Sequence, residues 1–134
     1  MISIELEYKG RTEFGYGDSN VRINIFDNYR DVDNVEKAVN MISKLFFNKK
    51  YGEPTVTIHH YVMDYGTVSI GRITRFYSDT TTRCHWVDWN GFNSGDKEEL
   101  CKFTRKQVKE FYLDCIDYAV SREAEIKAKE EENE

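Results

Sequence analysis

The sequence predicts an α+β domain: a mainly antiparallel sheet with elements in the order ββαββββα and two helices packed on one face. Three observations carry that expectation. Ile2, Ile4 and Leu6 alternate with Ser3, Glu5 and Glu7, the period of two of a half-buried strand. Val35, Ala38, Val39, Ile42, Leu45 and Phe46 recur at helical spacing, so one stripe of that segment faces a sheet. Between residues 55 and 89 the segments are separated by short turns rather than crossovers, which favours hairpins.

Val21, Ile23 and Ile25 alternate with Arg22 and Asn24 and read as a second half-buried strand. Gly10 and Phe14-Gly15-Tyr16-Gly17-Asp18 supply turn residues, so the first hairpin is expected to carry a long loop. Asp33 is placed to cap the first helix, with Glu36 completing a capping box. Asn48-Lys49-Lys50-Tyr51-Gly52 ends that helix, and Pro54 opens the next strand, where it removes no interior ladder donor.

Residues 55–63, 67–77 and 81–89 read as three successive strands, with Asp64-Tyr65-Gly66 as a hairpin turn. Gly71 inside the middle one points to a bulge or a close backbone approach. Asn90 to Asp96 is a loop, and Leu100-Cys101-Lys102-Phe103 a short last strand. Thr104 and Gln107 form a second capping box, after which Val108, Phe111, Tyr112, Cys115, Ile116, Ala119 and Ile126 trace a long helix. Residues 1–129 form one domain on this reading, and 130–134 an acidic, frayed end.

The chain has 134 residues, 19 Lys+Arg and 24 Asp+Glu, a net charge of −5. The surplus is concentrated in Glu130, Glu131, Glu132 and Glu134, so the body is nearly neutral and offers no clustered cations for a phosphate backbone. No apolar run approaches the ~20 residues of a membrane-spanning helix. The opening residues lack a secretory leader, and Cys84, Cys101 and Cys115 form no CxxC, so a reducing cytoplasm is the expected compartment. Neither a cofactor nor a metal site is expected. His59-His60 and Cys84-His85 lie on strands, where neighbours point to opposite faces and each pair gives at most one ligand.

Three function classes remain. Catalysis needs His59 or His60 to converge with Cys84 or Asp88 in a cleft. Nucleic-acid binding needs Arg72, Arg75 and Arg83 on one sheet face among Phe76, Tyr77, Trp86 and Trp89. The αβββα portion resembles double-stranded RNA-binding domains in order, but the last helix follows Arg105, Lys106 and Lys109 with Glu110, Asp114 and Asp117 instead of more lysines. The third class is protein binding. Aromatic residues make up 14% of the chain, more than one small core readily hides, and several fall near predicted loops.

Protein binding is the expected function: a small inhibitor that blocks a target enzyme. The target would be a nuclease or CRISPR-type effector met by a phage or mobile-element protein, or a toxin met by its immunity protein. Tyr16, Asp18, Trp89 and Phe92 are the expected anchors, and Glu130, Glu131 and Glu132 an acidic fringe competing for a basic channel. Residues 33–112 also resemble the Imm1-type immunity proteins of bacterial toxin systems. The likeness lies in Pro54-Thr55-Val56-Thr57-Ile58, in Gly66-Thr67-Val68-Ser69-Ile70-Gly71 and in a tryptophan-rich strand before Asn90-Gly91. That resemblance implies binding to a toxin.

Overall fold

The structure is a computed structural model that describes residues 1–12, 15–48, 52–77, 82–88, 96–100 and 104–132. Its elements are β1 (Ile2–Thr12), β2 (Gly15–Phe26), α1 (Val32–Phe46), β3 (Gly52–Val62), β4 (Gly66–Tyr77), β5 (Thr82–Asp88), β6 (Asp96–Leu100) and α2 (Arg105–Glu132). The strands form one six-stranded sheet in the order β2-β1-β3-β4-β5-β6, and every neighbouring pair is antiparallel. Both helices contribute to one core with one side of this sheet, so the α+β class expected from the sequence holds.

Period-two alternation decides what that core contains. Ile4 lies opposite Ile58, and Leu6 opposite Val56, which stacks the even-numbered residues of β1 and β3 beneath the helices. Val35, Ala38, Val39, Ile42, Leu45 and Phe46 descend from α1, and Val108, Phe111, Tyr112, Cys115, Ile116 and Ala119 from the first half of α2. In β4 the apolar residues Val68 and Ile73 are out of phase in sequence. A register shift between Ile58 and His59 leaves Ile70 as an extra residue, so Val68 opposite His60 and Ile73 opposite Val56 share the helix side. Gly71 stands beside this bulge because a Cβ there would meet Cys115 Sγ at 2.5 Å and Phe111 at 2.9 Å. Bulge and close approach, both expected of Gly71, occur together.

Several boundaries differ from expectation, each for a local reason. Gly15–Asp18, expected in a loop, belong to β2: Thr12 pairs with Gly15, and a register shift lets Gly17 and Asp18 together oppose Gly10. Pro54 is the third residue of β3 rather than its first. It falls where Glu53 and Pro54 face Tyr8 alone between the Glu7–Thr55 and Lys9–Gly52 pairs, a bulge that spares the missing N–H. The sixth strand includes Asp96–Leu100, although four of these five residues, Asp96, Lys97, Glu98 and Glu99, are charged and Asp96 was expected in a loop; of the expected strand 100–103, Leu100 belongs to β6 and the other three residues lie outside the described ones. Pairing with β5 overrides that poor strand propensity, and charge is ordinary on a sheet edge.

α1 starts earlier than the expected Asp33 cap. Asp31 occupies the cap position without a side-chain bond, while Asn34 Nδ2 donates to the Asn28 carbonyl at 2.7 Å. Glu36, freed from any capping box, receives Arg105 at 2.8 Å and Lys109 at 3.1 Å and so ties α1 to the start of α2. The second box forms as expected: the Thr104 N–H donates to Gln107 Oε1 at 2.9 Å, and the Gln107 N–H to Thr104 Oγ1 at 3.4 Å. No helix among the described residues is long and apolar enough to cross a membrane.

Candidate functional site

His59 and His60 are adjacent in sequence and lie on opposite faces of β3, as the strand period requires. His60 lies opposite Ile2 and is fully buried on the helix side. Arg122 donates from one guanidinium nitrogen to His60 Nδ1 and to the His60 carbonyl, both at 3.1 Å. A guanidinium only donates, so Nδ1 is unprotonated and the Nε2–H donates to Glu123 at 3.0 Å. The ring is therefore neutral, and burial holds its pKa below the usual histidine value despite Glu123. Tyr29 meets the ring edge-on, with centroids 6.1 Å apart. Burial and the Glu123 carboxylate push the Tyr29 hydroxyl up to about 12. This cluster is structural: it fastens the middle of α2 to β3 and to the turn after β2.

On the open face Ser69 Oγ lies 3.0 Å from His59 Nδ1, and His59 Nε2 lies 3.2 Å from Glu5 Oε1. Glu5 and Glu7 stand two residues apart on the same face. A hydrogen bond between their carboxyls lowers the pKa of Glu5, with His59 adding to the effect, and raises that of Glu7. Thr55 and Thr74 are bonded at 3.0 Å farther along. The serine–histidine–carboxylate order has the connectivity of a nucleophile relay, but each link joins neighbouring strands across the open side of the sheet. It reads as a polar ladder.

The edge strand β2 reverses the polarity of its neighbour. Val21, Ile23 and Ile25 lie opposite Glu7, Glu5 and Ser3 and so face the open side, at 52%, 63% and 61% exposure. The half-buried apolar side expected from the alternation is in fact the exposed one. Arg22 and Asn24 take the helix side opposite Leu6 and Ile4. Among the described residues, the outer edge of this 12-residue strand has no strand beside it. A row of aliphatic side chains along an open edge is a ready template for another strand.

Two of the expected site residues belong to this edge strand. Tyr16 and Asp18 lie in β2, in its first part; their side chains fall outside the described ones. Trp89 and Phe92 lie outside the described residues, as does Cys101. Glu130, Glu131 and Glu132 are exposed on the last turn of α2. Desolvation and Glu130 raise the Tyr65 hydroxyl, which places that acidic end beside the β3–β4 turn. Register puts this turn at the Phe26 end of β2, ten residues or roughly 30 Å of strand from Tyr16. Tyr16 and the acidic end therefore stand toward opposite ends of β2.

The other classes fare differently. Arg72 lies opposite Thr57 on the open face, whereas Arg75 donates to the Phe46 carbonyl and stands 5.4 Å over the Phe47 ring on the helix side. The shared face required for nucleic-acid stacking is not formed by these two arginines; the Arg83 side chain lies outside the described ones. Cys84 and Asp88 pair in register with Arg75 and Gly71, and their side chains likewise lie outside the described ones. Among the described residues no three His, Cys, Asp or Glu side chains are grouped to hold a metal.

Sequence reasoning missed the aliphatic edge because alternation does not say which side is covered. It missed the Tyr29–His60–Glu123–Arg122 cluster because its members are remote in sequence. No family model, no curated protein and no solved structure matches this chain.

Proposed function

We propose that this chain acts by binding a target protein through β2, adding its edge to an exposed strand of that target and thereby blocking a target enzyme. The supporting observation is the exposed row Val21, Ile23 and Ile25 on a 12-residue strand whose outer edge is unpaired among the described residues. Main-chain ladder bonds would supply affinity, and the aliphatic row would pack beside the incoming strand. The opposite edge, β6, is five residues long and mostly charged, which disfavours the same use. Tyr16 and Asp18 extend the docking strand at its start, and Trp89 and Phe92 remain proposed anchors. The exposed Glu130, Glu131 and Glu132, at the Phe26 end, give the complex an acidic flank suited to an enzyme with a basic channel. A nuclease, a CRISPR-type effector or a toxin meets that description, with a reducing cytoplasm as the setting.

The test is capture from nuclease-treated lysate of the source cell with wild type and with Ile23→Lys/Ile25→Lys, followed by assay of the captured enzyme. The reading expects one enzyme that wild type retains and inhibits at equimolar ratio, with affinity falling ~100-fold or more in the variant. Capture unaffected by the variant overturns β2 as the site. A wild-type dimer that the variant dissociates, with no captured enzyme, assigns the edge to a second copy and overturns the inhibitor reading.

A further inference from the structure

α1 packs over β1 and β3 rather than over the edge strand, so among the described residues no helix covers the helix side of β2. A cavity of about 460 Å³ occupies the space. Its floor is apolar, made by Leu6 of β1 with Met41 and Leu45 of α1. Its rim carries Arg22 from β2 and Lys37 and Lys44 from α1, one cation on the strand wall and two on the helix wall, and among the described residues no carboxylate lines it. Lys37 and Lys44 are seven residues apart, two helical turns, so both stand on the same face of α1 and line the groove together with Met41. Three cationic residues line one largely apolar groove in a chain whose net charge is −5. Long cationic side chains can lay their stems along apolar surface while the charged heads stay in water.

We propose that this groove binds a small anionic amphiphile: a single aliphatic or aromatic tail laid on Leu6, Met41 and Leu45, with a carboxylate or phosphate held by Arg22, Lys37 and Lys44. The volume lies in the range of small-molecule pockets, about 300–1,000 Å³. The same head-and-tail chemistry occurs on free acids and on bilayer lipids. The site takes the free molecule, because a groove walled by a helix on one side and a strand on the other admits one tail and is not a surface that lies flat on a membrane. The groove uses the helix side of β2 and the protein-docking row its open side, so the two readings stand or fall separately.

The test is an amide-shift NMR titration of the intact protein with octanoate, octyl phosphate and the neutral 1-octanol, alongside sedimentation with phosphatidylglycerol vesicles. Octanoate and octyl phosphate are expected to shift residues of α1 and β1 around the groove and to bind ~10-fold or more tightly than 1-octanol, the direction charge assistance requires. Lys37→Gln and Lys44→Gln replace exposed helical residues by another good helix former and are expected to weaken the two anions by ~3–10-fold each, leaving 1-octanol unchanged. Arg22→Gln should act the same way, and added salt should weaken the anions alone. Equal affinity for 1-octanol, shifts confined to Val21, Ile23 and Ile25, or vesicle binding without binding of either free anion would each overturn the proposal.

Discussion

β1 and β2 are two arms of one hairpin, and their sequences alternate aliphatic and polar residues in the same way. In β1 the aliphatic set is sealed beneath two helices: Ile2 and Ile4 are fully buried and Leu6 nearly so. In β2 the aliphatic set faces water. The pairing decides this, because Ile4 meets Asn24 and Leu6 meets Arg22, which sends Val21, Ile23 and Ile25 to the side of Ser3, Glu5 and Glu7. A slip of one residue would exchange every side chain of β2 between the faces. Alternation therefore identifies a strand with two unlike sides, and only the neighbouring layer says which side is the core.

The largest expected difference between the arms is thermodynamic. Ile4→Ala removes buried methyl and methylene groups from a site packed against Ile58 and the helices, and is expected to cost roughly 2–5 kcal/mol. A domain of this size commonly holds about 5–15 kcal/mol in total, so the urea midpoint should fall by roughly an eighth of its value or more at an unchanged m. A cost below ~1 kcal/mol would mean that β1 does not carry the core face assigned to it.

The two adjacent histidines repeat the comparison within β3. His60 has a depressed pKa in the folded state, so as pH falls below the unfolded value of about 6.5 the unfolded chain takes the proton first. Stability is then lost on acidification, by up to ~1.4 kcal/mol per pH unit for one such group until the folded pKa is reached. Burial alone would raise Glu123, but hydrogen bonding with His60, aided by Tyr29, holds its pKa below the usual value. Its contribution is present above about pH 4.5 and disappears below that, in a separate and more acid window. His60→Gln, which keeps a donor toward Glu123, is expected to be less stable than wild type at pH 8 and to approach it at pH 5.5. Urea unfolding at those two pH values checks this, and parallel curves would remove His60 as the source.

These particulars show how much was legible beforehand. The Thr104–Gln107 box, the core stripe of α1 and the special role of Gly71 follow from local chemistry, since each depends on residues close in sequence or on one residue's missing Cβ. Asp33 failed as a cap because Asp31 already stood two positions ahead and Glu36 was drawn to Arg105 and Lys109 from the far end of the chain. The charged residues 96–99 of β6 were not legible as a strand because they are held by β5, a partner that propensity does not see. The groove beneath α1 escaped notice for a related reason: Arg22, Lys37 and Lys44 are ordinary surface cations until the layer that leaves β2 uncovered is known.

The smallest expected effect is the sharpest test of the exposed row. Ile23→Thr keeps β-branching and strand propensity while replacing one methyl-bearing arm by a hydroxyl. At 63% exposure the side chain has already lost little contact with water, so the change in stability is expected to stay within ~0.5 kcal/mol. The same substitution in the row that docks a partner should still weaken that complex, because the side chain would be desolvated only there. Measuring the urea midpoint at two protein concentrations a hundredfold apart separates the explanations. A midpoint independent of concentration and unmoved by Ile23→Thr keeps β2 as an open edge on a stable single chain. A loss above ~1 kcal/mol that grows with concentration would mean that a second copy covers Ile23 in the folded state, since only association makes stability depend on protein concentration.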